Sequence, residues 1–245
     1  MNRTSITGLA CLLAVALTAC AGGGEPPAPS GSPASAPLEA LKEPANSMSV
    51  SPPLSPAPVS AEALAAYRAL LAGEPGALDR PPEGLELHQV TLPPAEELEY
   101  VLLDLDGDGG AELVVQMVEQ PQQFNAVFHY GDGELSCWQY DIVEMSCRDY
   151  PLGDGAMVRQ YDTGTGPNRY SNLYTVFRYL PDGETEECAS LAVHQDTQED
   201  GTEVFTYLVD DAEVDQDTFA AEFEELVGSR LLSLEDWIPA TERPG

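Results

Sequence analysis

From Leu85 to Val209 the sequence is cut into short β-branched and aromatic runs by Gly, Asp and Pro. The runs are Tyr100 to Leu103, Glu112 to Val118, Phe124 to Tyr130, Glu134 to Tyr140, Ala156 to Asp162, Leu173 to Leu180, Cys188 to Gln195 and Val204 to Val209. Turn chemistry separates many of them: Gly131-Asp132-Gly133, Asp154-Gly155, Pro181-Asp182-Gly183 and Asp200-Gly201. Connections this short join antiparallel neighbours, because a parallel crossover needs about a dozen residues or more. The pattern therefore predicts an antiparallel β-meander of seven to nine strands in one sheet. Two helical patterns flank it. Ser60 precedes a stretch ending at Gly73 with Leu64, Tyr67, Leu70 and Leu71 on one face, which predicts a capped helix over 61–72. Asp217 opens a second over 217–227, with Phe219, Phe223, Leu226 and Val227 at helical spacing. The expected class is α+β, with an N-terminal and a C-terminal amphipathic helix.

Charge limits what such a domain can bind. The chain has 245 residues, 42 acidic against 10 basic, and a formal charge of −32. Phosphate backbones are held by clustered Lys and Arg; here there is no such cluster, and the summed field repels polyanions. Nucleic acid is excluded as a partner, and electrostatic attachment to an anionic lipid surface with it.

The first residues carry a different message. Arg3 stands without an acid among residues 1–5, Ile6 to Leu17 is almost wholly apolar, and small residues follow. An apolar run of twelve residues is too short for a bilayer core that takes about 20 residues of helix, so residues 1–19 are expected to be a cleaved export signal. Leu17-Thr18-Ala19-Cys20 resembles the lipobox of bacterial lipoproteins. The resemblance implies that Cys20 is lipidated and becomes the new N-terminus, tying the protein to the extracytoplasmic face of the cell membrane. Residues 20–59 then form a Pro/Ala/Ser-rich tether; ten of the 21 prolines lie between positions 21 and 58, without one aromatic residue. Such a stretch makes no core and acts as a solvated spacer. A single domain over 60–240 remains.

One segment carries chemistry. Asp104-Leu105-Asp106-Gly107-Asp108-Gly109-Gly110-Ala111-Glu112 places oxygen-bearing side chains at positions 1, 3, 5 and 9 of a cation loop, with Gly109 at the sharp sixth position. Position 7 contributes only its carbonyl, which Gly110 supplies. Four carboxylates so close together repel by about 4 kcal/mol per pair at 4 Å and an effective dielectric of about 20. A hard divalent cation is their natural partner, and calcium accepts this donor number more readily than magnesium. The expected ligands are Asp104, Asp106, Asp108, Gly110 and Glu112, with Ca2+ as the cofactor. The alternative reading is an acidic Asp-Gly turn that holds no ion.

The loop departs from an EF-hand in two ways: position 12 is Val115, and both flanks read as strands. Over roughly residues 98–118 it is similar to the strand-loop-strand calcium hairpins of FG-GAP and VCBS repeats. The resemblance implies an EF-hand-like loop closed by the ninth-position acid. Only one copy is present, so a propeller does not come with it.

Other signals point less far. Asp162-Thr163-Gly164-Thr165 matches an aspartic-protease signature, yet no second such motif occurs to supply the paired Asp. Cys137, Cys147 and Cys188 leave an odd number in the processed chain; a Cys137–Cys147 disulfide would need a hairpin centred near Ile142, for which Asp141-Ile142-Val143 is poor turn chemistry. Trp138, among Tyr130, Tyr140 and Tyr150, reads either as strand packing or as a carbohydrate-stacking platform. The expectation is a non-catalytic, calcium-stabilised binding or structural lipoprotein of the cell envelope, its protein or glycan partner unidentified. A secreted hydrolase or a carbohydrate-binding module is the rival reading.

Overall fold

A computed structural model describes residues 57–119, 121, 124–142, 147–166, 168–242 and 244. The signal segment, Cys20 and the tether up to residue 56 lie outside the described residues. The first helix, α1 (Ala61–Leu71), begins where the hydroxyl of Ser60 accepts the N–H of Ala63 at 3.0 Å. Strands then follow as β1 (Leu98–Leu103), β2 (Glu112–Met117), β3 (Phe124–Gly131), β4 (Glu134–Ile142), β5 (Cys147–Pro151) and β6 (Met157–Gly166). The rest are β7 (Arg169–Tyr179), β8 (Thr185–Thr197), β9 (Glu203–Val209), β10 (Ala212–Val214), then α2 (Gln216–Leu226) and β11 (Ile238–Pro239). None of the described helices is long and apolar enough to cross a membrane.

The described residues are thus mostly antiparallel β-structure with two α-helices, but the strands number eleven, not seven to nine, with β5, β10 and β11 added to the expected runs, and they divide into two sheets instead of one. The first has the order β11-β1-β2-β3-β4 and the second β10-β9-β8-β7-β6-β5. Within each run, consecutive strands are neighbours and antiparallel. The break falls between β4 and β5, which pair with different strands. A single twisted sheet of eleven strands would leave its apolar faces hard to cover, and splitting lets one sheet bury the other.

The first sheet is apolar on both faces, and this sets the layering. One face presents Leu98, Tyr100, Leu113, Val115, Phe124, Ala126, Phe128 and Leu135 to Ala63, Tyr67, Leu70 and Leu71 of α1. Ala63 replaces Leu64 in the buried stripe expected for α1, and Leu64 is half-buried. The opposite face packs Val101, Leu103, Val114 and Val127 against Met157, Phe177 and Tyr179 of the second sheet. Enclosing each Val, Leu, Met or Phe contributes about 1.5–3 kcal/mol, so this middle layer holds the domain together. A bulge in β4 sits opposite Val127 and Phe128, which pair with Gln139 and Cys137 and leave Trp138 as the extra residue. Cys137 therefore faces the α1 side while Trp138 joins the inter-sheet cluster.

On the far face of the second sheet, α2 sets Phe219 5.3 Å from Tyr207 and Phe223 5.1 Å from Tyr174. Its cap is Asp215, whose carboxylate accepts the N–H of Thr218 at 2.8 Å, and the expected cap Asp217 lies in the first turn. Both acids precede the apolar stripe, and the one whose carboxylate reaches the third helical N–H starts the helix.

The β5–β6 turn positions the loop described next. Its Gly155 adopts φ +82, and a methyl group built there would run into the backbone carbonyl of Asp104. Asp154 beside it accepts from Arg230 at 2.7 Å and Arg178 at 2.9 Å, tying the turn to the C-terminal segment. On the opposite edge of the first sheet, Asp79 and Arg80 run along β4: both N–H groups reach the Leu135 carbonyl and the Arg80 carbonyl receives the Cys137 N–H.

Candidate metal centre

The acidic segment is the connection between β1 and β2, which are paired from Leu98 with Met117 to Leu103 with Glu112. Strands flank it on both sides, as the apolar runs around it predict. The loop curls because its carboxylates take up its own amide N–H groups. Gly107 and Gly109 donate to the two oxygens of Asp104 at 2.7 and 3.1 Å, Asp108 donates to Asp106 Oδ1 at 3.0 Å, and Gly110 donates to Asp108 Oδ1 at 2.6 Å. Gly109 has φ +88, which a side chain would strain. As a result one carboxylate oxygen each from Asp104, Asp106 and Asp108 lies within 4.8 Å of the others.

Glu112 stands apart from that trio. It is 1% exposed; its Oε2 accepts the Leu105 N–H at 2.8 Å, and its Oε1 lies 3.0 Å from His129 Nδ1. Donor atoms of Asp106, Glu112 and His129 also lie within 4.8 Å of one another. The ninth-position acid therefore groups with a histidine, and Asp106 belongs to both groups. His129 had no recognisable spacing to the loop: it stands on β3, and only the β2–β3 register, with Leu113 opposite Phe128, brings it beside Glu112. A second residue outside the motif is Tyr67 of α1, wholly buried, whose hydroxyl donates to the Ala111 carbonyl at 2.8 Å.

The electrostatics follow from burial and like charge. Burial raises the carboxyl pKa of Asp106, with the charges of Asp108 and Asp104 adding and the Asp108 N–H and His129 opposing. Burial likewise raises Glu112, against the hydrogen bonds from His129 and Leu105. For His129, burial disfavours the imidazolium, but the hydrogen bond and charge of Glu112, with Asp106 and Asp108, outweigh it and raise the pKa. Burial, and then the charge of Glu112, pushes the Tyr67 hydroxyl well up.

The donor set suits a hard cation: carboxylate oxygens on a tight loop, converging without a basic residue of the loop to neutralise them. Asp106 Oδ2 is closed to solvent and has no hydrogen-bond partner. A buried carboxylate oxygen left so is costly, and a bound cation relieves that cost. Asp104, Asp106 and Asp108 fit calcium on these grounds; Gly110 and Glu112 are the expected remaining ligands.

Set against protein-family models, curated proteins and solved structures, the chain matches none.

Other chemistry in the domain lies elsewhere. The Asp162-Thr163-Gly164 triplet runs along β6 in regular register with Asn172, Ser171 and Tyr170 of β7. Ser171 Oγ lies 2.8 Å from His194 Nδ1, a nucleophile-base contact that the sequence does not reveal. The two are cross-strand partners on β7 and β8, and Ser171 is only 1% exposed. Trp138 is half-buried, stacked on His129 at 4.3 Å and on Tyr179 at 5.2 Å, with Gly183 against its edge, so it is packing and not an open platform.

Proposed function

We propose that this chain is a lipid-anchored extracytoplasmic protein whose domain binds calcium in the Asp104–Glu112 loop and serves as a non-catalytic binding or structural module. Its class on this reading is α+β, an antiparallel meander with an amphipathic helix at each end. The observation that carries the calcium reading is the convergence of one oxygen each from Asp104, Asp106 and Asp108 within 4.8 Å of one another, with Asp106 Oδ2 closed to solvent and without a hydrogen-bond partner. The strand-loop-strand setting and the similarity to FG-GAP and VCBS hairpins support it, as does the lipobox-like Leu17 to Cys20 for the anchor.

Calcium would hold together charges that otherwise repel and so fix the first sheet's hairpin. The stabilisation is RT ln(1 + [Ca]/Kd), about 2.7 kcal/mol at a hundredfold excess. Extracellular modules bind at roughly 0.1–1 mM, so about 1 mM calcium contributes about 0.4–1.4 kcal/mol and raises the melting temperature of the purified chain by about 1–5 °C over EDTA, and magnesium raises it less. Asp106→Ala abolishes the calcium shift while leaving the EDTA melt unchanged or higher. Coincident melts in EDTA and in excess calcium would reduce the loop to an acidic turn and end this reading.

A further inference from the structure

His129 does not belong in a calcium site. Calcium takes oxygen ligands, whereas imidazole suits zinc and its neighbours among the divalent transition metals. Yet the His129 ring reaches the loop's innermost acids, and it is held there. Trp138 stacks on it at 4.3 Å with an interplanar angle of 10°, and Gly131 lies against its Nε2 edge. The side chains of His129 and Glu112 are 14% and 2% exposed.

We propose that the domain holds a second divalent cation, of the zinc class, on Asp106, Glu112 and Nδ1 of His129, with Asp106 shared between it and the calcium loop and Glu112 given to this second cation instead of to calcium. The proposal rests on the calcium reading for that shared ligand and for its charge balance. Three observations carry it. Donor atoms of the three residues lie within 4.8 Å of one another, a mixed oxygen and nitrogen set distinct from the all-oxygen trio of Asp104, Asp106 and Asp108. Nδ1 and Oε1 face each other at 3.0 Å across a hydrogen bond, about 0.4 Å short of the separation of two ligands on a tetrahedral cation with bonds of about 2.1 Å, so a small opening lets the metal take the place of the shared proton. Asp106 Oδ2, on the residue common to both groups, is closed to solvent and has no hydrogen-bond partner.

Charge agrees. Asp104, Asp106, Asp108 and Glu112 bring four negative charges, and one calcium leaves two of them uncompensated. A second dication beside a neutral imidazole completes the balance, where burial makes residual charge expensive. The Leu105 N–H holds Glu112 Oε2 at 2.8 Å, fixing the carboxylate so that Oε1 is the oxygen offered to the metal.

The test is equilibrium dialysis of the EDTA-stripped chain against zinc, with and without saturating calcium, with bound metal read by elemental analysis. Imidazole nitrogen NMR on the unmodified chain reads the ligand atom directly. The expected result is one zinc per chain retained alongside calcium, with a zinc-dependent shift at His129 Nδ1. His129→Gln should weaken zinc binding by about tenfold or more while the calcium-dependent melting shift remains. Zinc uptake equal in the His129→Gln chain, no shift at Nδ1, or one-for-one displacement of zinc by calcium would each overturn the proposal. A calcium response with no zinc uptake would overturn the His129 site and leave the calcium reading standing. Zinc on His129 in a chain that ignores calcium would support the site and sink the calcium reading.

Discussion

Leu105 is the loop's large apolar residue, and replacing it separates the loop's mechanical role from its chemical one. It stands second in the loop, wholly buried, among Leu103, Val114, Val127, Met157 and Phe177 from both sheets. Leu→Ala in a core costs about 2–5 kcal/mol, more where the surroundings cannot close on the cavity. Here collapse is blocked, because Gly155 already abuts the Asp104 carbonyl and strands of two sheets form the walls. The expected loss for Leu105→Ala is therefore about 3–4 kcal/mol. For a domain of this size that is a fall of about 10 °C in melting temperature. Urea unfolding followed by tryptophan fluorescence measures it well, since Trp138 and Trp237, the chain's two tryptophans, both pack on the same cluster. The calcium-induced shift should survive, because the substitution keeps the N–H that holds Glu112. A loss below about 1 kcal/mol, against the range for buried leucines, would refute the inter-sheet role given to Leu105. Loss of the calcium response would refute the separation of packing from binding.

Three further outcomes follow from the same geometry. Gly155→Ala should cost about 2 kcal/mol or more, from its positive φ and its contact with Asp104, and should also weaken calcium binding when both are read in one titrated melt. At Asp154 burial pushes the carboxyl pKa up, but the hydrogen bond and charge of Arg230, the Ala156 N–H and the charge of Arg178 together hold it below the usual range. Its contribution is thus present above an unfolded pKa of about 3.9 and lost as pH falls through the folded value, so wild type and Asp154→Asn should differ in urea stability at neutral pH and converge in acid. Cys20→Ala should move the protein out of the membrane fraction; persistence there after a carbonate wash would refute the lipid anchor.

Eight of the eleven strands were legible because period-two runs and Asp-Gly turns are local signals, whereas β5, β10 and β11, of five, three and two residues, carry too little alternation to be read. The division into two sheets was not, since β4 shows the same alternation whether or not the next strand pairs with it, and only burial of both faces of the first sheet decides it. Asp104, Asp106 and Asp108 were legible as a spacing within a few residues. His129 was invisible for the opposite reason: its place beside Glu112 depends on β2–β3 register, which no motif records. The cap of α2 slipped by two residues because Asp215 and Asp217 are chemically alike, and only the reach of a carboxylate to the Thr218 N–H distinguishes them.

The strip formed by Asp79 and Arg80 along β4 has a consequence for the protein's life among its own copies. An open strand edge is a template on which another chain can add itself, the route to fibrils and to swapped assemblies. At Leu135 and Cys137 that template is already occupied: the strip claims the Leu135 carbonyl and the Cys137 N–H, and Arg80 places a charge, paired with Glu134 at 3.0 Å, on the rim. The other rim of the first sheet is only two residues long and ends in Pro239. At high local concentration the covered stretch of β4 and the short β11 offer a neighbour little to extend.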